Sequence, residues 1–239
     1  MAAILLFIKF LVFQQNFGNK RAPGAFIMDR GIRRHLPLHK AAVPRVARDM
    51  PQVVENSNQV QMRSYLRDAT AHQHDLLDNS IHDDIFASEA AYADFLSRQL
   101  AARLPIEIWT ARSCPRNFAP PPVAPLIIED LQALGRPFSL PGLTFDLPAR
   151  AHPIGLAWAV AGSHLGNRAM LHRLRQSGYL LPAAFLSDQR GAEFWARLKP
   201  QLEAEWPKLI AEAALTGARA VFEHFLLAFE GDSGKKLAA

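Results

Sequence analysis

Two histidines fall within three residues in the stretch Leu66–Asn79, LRDATAHQHDLLDN. At helical spacing Leu66, Thr70, His74, Leu77 and Ile81 form one stripe, so His74 sits on the side that otherwise carries apolar residues. His72 lies about 200° around the same helix and cannot share a pocket with His74. The pair is therefore a poor zinc site, and no His-Glu-x-x-His run or cysteine ligand accompanies it. One neutral imidazole projecting alone from a helix is instead what the axial position of a haem iron takes. A lone histidine on an apolar face is also an ordinary core residue with a satisfied nitrogen.

The second stretch that could do chemistry is GLAWAVAGSHLGNRAMLHRL, Gly155–Leu174. Trp158, Gly162, Gly166 and Met170 recur every four residues, so two glycines leave a bare groove in mid-helix. Each glycine costs a helix about 0.5–1 kcal/mol relative to alanine. Two on one face imply that something flat or bulky approaches the backbone; close helix–helix packing is the competing explanation. Arg168, His172, Arg173 and Arg175 interrupt the stretch and exclude a membrane segment. A phosphate-binding loop is excluded as well, because no strand precedes the glycines and no Lys-Ser/Thr follows them.

The elements that would position these groups read as helices. The chain has 239 residues, 49% of them hydrophobic, and a mean hydropathy near zero, which suits a soluble globular protein with one substantial core. Its net charge of +5 is unevenly placed: residues 1–61 hold nine Lys and Arg against three acids, leaving 18 basic and 19 acidic residues in the remainder. The nearly neutral body and the lack of basic–aromatic interleaving exclude a nucleic-acid surface. The single Cys114 excludes a disulfide framework and a cysteine metal cluster, and a reducing cytoplasm fits. The leading run AAILLFIKFLVF is too short to cross a bilayer and lacks signal-peptide flanks. Residues 1–61 are expected to be a basic, poorly structured extension, or an over-long start with Met62 as the working initiator.

From Met62 the pattern is helical almost throughout. One helix is expected from Met62 to about Ile81 and a second over residues 82–104, with Ile85, Ala93, Leu96 and Leu100 in the core. APPPVAP breaks the chain, and LIIEDLQALG resumes as a short helix stopped at Gly135. A proline-rich loop precedes a long helix from Pro153 to Gln176, with Gly178 near its C-terminal cap. Two more helices follow, the last with Pro207 at its first turn, and residues 233–239 should fray. No stretch alternates as a strand does. The expectation is an all-α, single-domain bundle over residues 62–232.

Together the two motifs resemble the haem oxygenase family, bacterial biliverdin-producing type. RDATAHQH matches the proximal helix of that family at Arg67, Asp68, Ala69, Thr70 and the ligand His74; GSHLG, Gly162–Gly166, followed by Asn167, is similar to its distal helix. The motifs stand roughly 90 residues apart, and the likeness spans residues 62–230. The resemblance implies a helical fold that sandwiches haem, with His74 on iron and the glycines of the distal helix, Gly162 and Gly166, pressed against the macrocycle. Haem would be both cofactor and substrate, opened to biliverdin with release of CO and iron, with electrons from an external ferredoxin or reductase. A bilin-binding photoreceptor is one downstream consumer of such a product; neither nucleic acid nor membrane is an expected partner. Arg67 stands where family members carry a basic residue near the propionates, although a solvated surface arginine fits equally. Phe222 or Phe225 of the closing helix would touch the haem, or serve as ordinary core.

The departures from the family sit on the distal side. Animal-type enzymes carry an aspartate after the first glycine, where this chain has Ser163; bacterial relatives also lack that acid. Asn167 replaces a glycine or alanine and sets an amide near the oxygen-binding position, where it either donates a hydrogen bond or crowds the ligand. His164 is expected to point away from the glycine face, toward solvent. The residues expected to carry turnover are thus Gly162, Ser163, Gly166 and Asn167. The competing expectations are a haem-binding or carrier protein on the same fold that never degrades haem, and a helical interaction protein that binds no tetrapyrrole.

Overall fold

The computed structural model describes residues 58–81, 84–138 and 142–230. The expectations for residues 1–57 and for the frayed tail lie outside the described residues. The body is helical, as its periodicity predicts, with one addition. Gln59–Gln61 (β1) pairs antiparallel with Glu205–Pro207 (β2), Gln59 opposite Pro207 and Gln61 opposite Glu205. Three-residue strands are too short to show alternation, which is why the sequence pattern missed them. Pro207, expected in the first turn of the last helix, ends β2 instead.

The first expected helix is two. Met62–Ala69 (α1) and Ala71–Ser80 (α2) are separated at Thr70, whose φ of −116° and ψ of 8° leave the helical region. Its hydroxyl donates to Leu66 O at 2.8 Å, the local bond by which threonine competes with helix continuation. Glu89–Ser113 (α3) starts behind Ser88, whose hydroxyl accepts from Ala91 N at 3.1 Å. It runs on through Pro105, beyond the expected end near Leu104. Ala124–Ala133 (α4) is capped from a distance: the Glu107 carboxylate accepts from Val123 N at 2.7 Å and Ala124 N at 3.1 Å. Gly135, at φ 63°, terminates it.

Pro153–Gln176 (α5) has the bounds read from the sequence, with Gly178 at φ 81° just beyond. Ala184–Ser187 (α6), Arg190–Glu203 (α7) and Lys208–Glu230 (α8) complete the order. The α5–α8 crossing is the centre of the fold; α7 packs on α5, α3 on α4 and α8, and α1 and α2 on α8. One half of the core gathers Tyr92, Leu96, Ile127, Leu131 and Phe185; the other gathers Met62, Leu66, Ile154, Phe194 and Leu202. Ile85, Ala93, Leu96 and Leu100 are buried as expected. Each large apolar side chain so placed contributes about 1.5–3 kcal/mol of transfer free energy.

Candidate functional site

α2 and α5 both pack on α8, and between them lies a partly open, mainly apolar cavity of about 160 Å³. α2 contributes His74, Leu77, Asp78 and Ile81; α5 contributes Trp158, Gly162, Ser163, Gly166, Asn167 and Met170. α8 adds Phe222, Phe225 and Phe229, and α3 adds Gln99 and Arg103. The two motifs singled out in the sequence therefore face one space.

His74 is half-buried. Its Nδ1 lies 3.2 Å from Asp78 Oδ2, one turn along α2, and its ring centroid lies 6.0 Å from that of Phe222. A carboxylate this close to one imidazole nitrogen restrains the ring on the cavity wall. His72 is exposed and outside the cavity, as the helical spacing requires. Among the described residues no three His, Cys, Asp or Glu side chains converge as a metal site.

Close helix packing does not account for Gly162. A Cβ built there meets nothing within 4 Å, so no neighbouring helix requires the glycine. The bare backbone borders the cavity. Gly166 is buried and lines the same space. Ser163 Oγ accepts from Arg103 Nη2 at 3.0 Å and donates to Val160 O at 2.6 Å. Asn167 is buried, and its Nδ2 has no hydrogen-bond partner among the described residues. Such an amide donor awaits an acceptor in the cavity it borders. Phe222 and Phe225 line the cavity while also belonging to the buried core.

Two expectations are corrected. Arg67 does not share the cavity with His74; it lies at the surface, its Nη2 2.8 Å from Asp68 Oδ1. The break at Thr70 shifts α1 out of register with α2, and Arg63 is the α1 arginine that borders the cavity. His164 is buried, not solvent-facing, with its ring against Gly191, where a Cβ would stand 2.5 Å from His164 Cγ. Burial pushes its pKa down to about 3, with the Arg103 charge adding to the shift, so the ring is neutral near pH 7.

The sequence reading missed Arg63, Gln99, Arg103 and Trp195 as cavity residues. Gln99 and Arg103 stand one turn apart on the stripe that carries Leu96 and Leu100, and a polar pair on a core stripe was the available signal. Arg63 stacks 5.7 Å over the Trp195 ring and pairs with Glu203 at 3.7 Å. Arg173, also on the cavity wall, lies 5.8 Å over the Phe86 ring. Comparison with protein families, with curated proteins and with solved structures finds no match to the chain. No helix among the described residues is long and apolar enough to cross a membrane.

Proposed function

We propose that the protein is a haem oxygenase, taking haem between α2 and α5 with His74 Nε2 on the iron and the Gly162–Gly166 backbone against the opposite face. The observation that carries this reading is His74 and the open groove of Gly162 on facing walls of one cavity. The donor set fits a planar, mainly apolar ligand: one imidazole and aromatic walls, with the positive charge of Arg63 and Arg173 at the cavity wall favouring an acidic one. An apolar cavity near 150 Å³ accepts about one benzene-sized ring, so a macrocycle enters only as a wall moves. α2 is suited to yield, since none of its side chains is fully buried.

Bound haem would supply the oxidising chemistry, consuming dioxygen and electrons from a ferredoxin or reductase to give biliverdin, CO and iron. The protein's part is placement. Asp78 orients His74, Gly162 and Gly166 leave room for a small ligand and little else, and Asn167 presents an N–H on that side. The apolar walls of Phe222, Phe225 and Met170 exclude water from the reacting face.

Haem titration of the full chain tests the proposal. Wild type should give a Soret-absorbing complex that converts to biliverdin with reductant and oxygen. His74→Ala should bind haem about tenfold or more weakly, the scale of losing one strong directed interaction. A wild type that holds haem intact under turnover conditions is a carrier, and one with no Soret change binds no tetrapyrrole; either result overturns the proposal.

A further inference from the structure

Arg103 is a cation inside the apolar body, 3% exposed. Its Nε donates to Gln99 Oε1 at 2.9 Å and its Nη2 to Ser163 Oγ at 3.0 Å. The guanidinium carbon lies 5.1 Å from the Phe185 ring centroid and 5.5 Å from that of Phe225. Two ring faces and two neutral oxygens therefore hold the group, and no carboxylate pairs with it among the described residues. Glu107, one turn along α3, spends its oxygens on the start of α4, and Asp188 pairs with Arg190 at 2.8 Å. Burial pushes the Arg103 pKa down to about 10, which still leaves it charged at neutral pH.

Glu107 supplies part of a counter-charge from one turn away, and a buried cation with no hydrogen-bonded carboxylate stays costly unless something adds negative charge. Arginine has five N–H groups, of which two are used here, and the side chain borders the cavity beside Ser163. The hydroxyl of Ser163, next to the first glycine, takes its hydrogen bond from this cation.

We infer that Arg103, aimed by Ser163 and Gln99 and clamped between Phe185 and Phe225, is a positioning residue that gives the α5 side of the pocket a fixed positive charge. There it favours anionic ligands and negative charge drawn onto a diatomic one. The inference rests on haem occupying the cavity as proposed above. A positive field on that side lowers the C–O stretching frequency of a carbonyl adduct and tightens small anions, neither of which a packing role would do.

The test uses the haem-loaded full chain with carbon monoxide on the ferrous form and azide on the ferric form. Arg103→Met should raise the C–O stretching frequency and weaken azide about tenfold or more, the scale of one charge-assisted hydrogen bond. Arg103→Lys should restore most of both, and Ser163→Ala, which loosens the aim, should shift both by less than Arg103→Met. Intact Soret spectra with unchanged frequency and azide affinity overturn the inference and leave the haem reading standing. No Soret complex in wild type overturns the haem reading itself. Should Arg103→Met not fold, Ser163→Ala beside Arg103→Lys carries the test, and values equal to wild type in both overturn the inference.

Discussion

The helix α5 carries glycines of two kinds, and the difference separates architecture from function. At Gly155 a Cβ would stand 1.8 Å from Ala214 O, and at Gly217, on the facing helix α8, one would stand 2.9 Å from His152 O. These two glycines let α5 and α8 cross backbone to backbone. Two turns along α5, Gly162 meets nothing, and its missing side chain faces the cavity. A glycine that touches nothing in the protein costs helix stability without a packing return. Spacing alone does not distinguish the two kinds, because both lie on one amphipathic helix.

Substitutions at these glycines should diverge in sign. Gly155→Ala has the largest expected effect, a loss of more than about 3 kcal/mol or failure to fold, since backbone atoms of α8 must retreat; chemical denaturation measures it. A Gly155→Ala protein as stable as wild type would mean that the crossing is looser than described.

An intermediate effect belongs to a third glycine contact, the His164 ring against Gly191. His164 is held near pKa 3 in the folded chain against about 6.5 when unfolded. Above pH 6.5 both states are neutral there and stability is flat. As pH falls below 6.5 the unfolded chain takes up a proton that the native ring refuses, so stability drops by on the order of 1 kcal/mol per pH unit. His152 and His224, whose pKa values burial also lowers, act in the same direction. Glu107 and Asp130, whose pKa values burial raises, act in the opposite direction as pH falls through their folded-state titration. Denaturation midpoints between pH 7 and 5 should therefore decline in wild type and decline less steeply in His164→Leu; equal slopes would contradict it.

The smallest effect is the most diagnostic. Gly162→Ala should raise the stability of the ligand-free protein by about 0.5–1 kcal/mol, the helix propensity difference with no clash to offset it. The same variant should weaken haem binding, because a methyl group projects into the groove. Destabilisation instead would return Gly162 to the packing class of Gly155.

How much was legible in the sequence follows from the range of the forces involved. The bounds of α5 could be read because Pro153 and Gly178 act within a turn of where they stand. The core stripe of α3 was legible for the same local reason. The break at Thr70 was not, because a threonine fits the helical stripe whether or not its hydroxyl takes the Leu66 carbonyl. On the far side of that break Arg67 lies off the site and Arg63 borders it. The burial of His164 depends on Gly191 in another helix, so its own neighbours in sequence carry no trace of it. Arg103 was within reach as a charge on a core stripe, but its partner Ser163 lies in α5, and only the fold joins them.

The pairing of β1 with β2 fastens the segment before α1 to the one before α8, with Val60 opposite Trp206 and Met62 N donating to Ala204 O at 3.3 Å. Nearly the whole body of the chain is looped out between these partners, and closing so long a loop is slow relative to forming the helices inside it. During synthesis α1 and α2 therefore emerge early, while α8, on which both pack, is made late. Among the described helices, the one that carries His74 is translated early and secured late, so a nascent chain remains an open clasp until α8 leaves the ribosome.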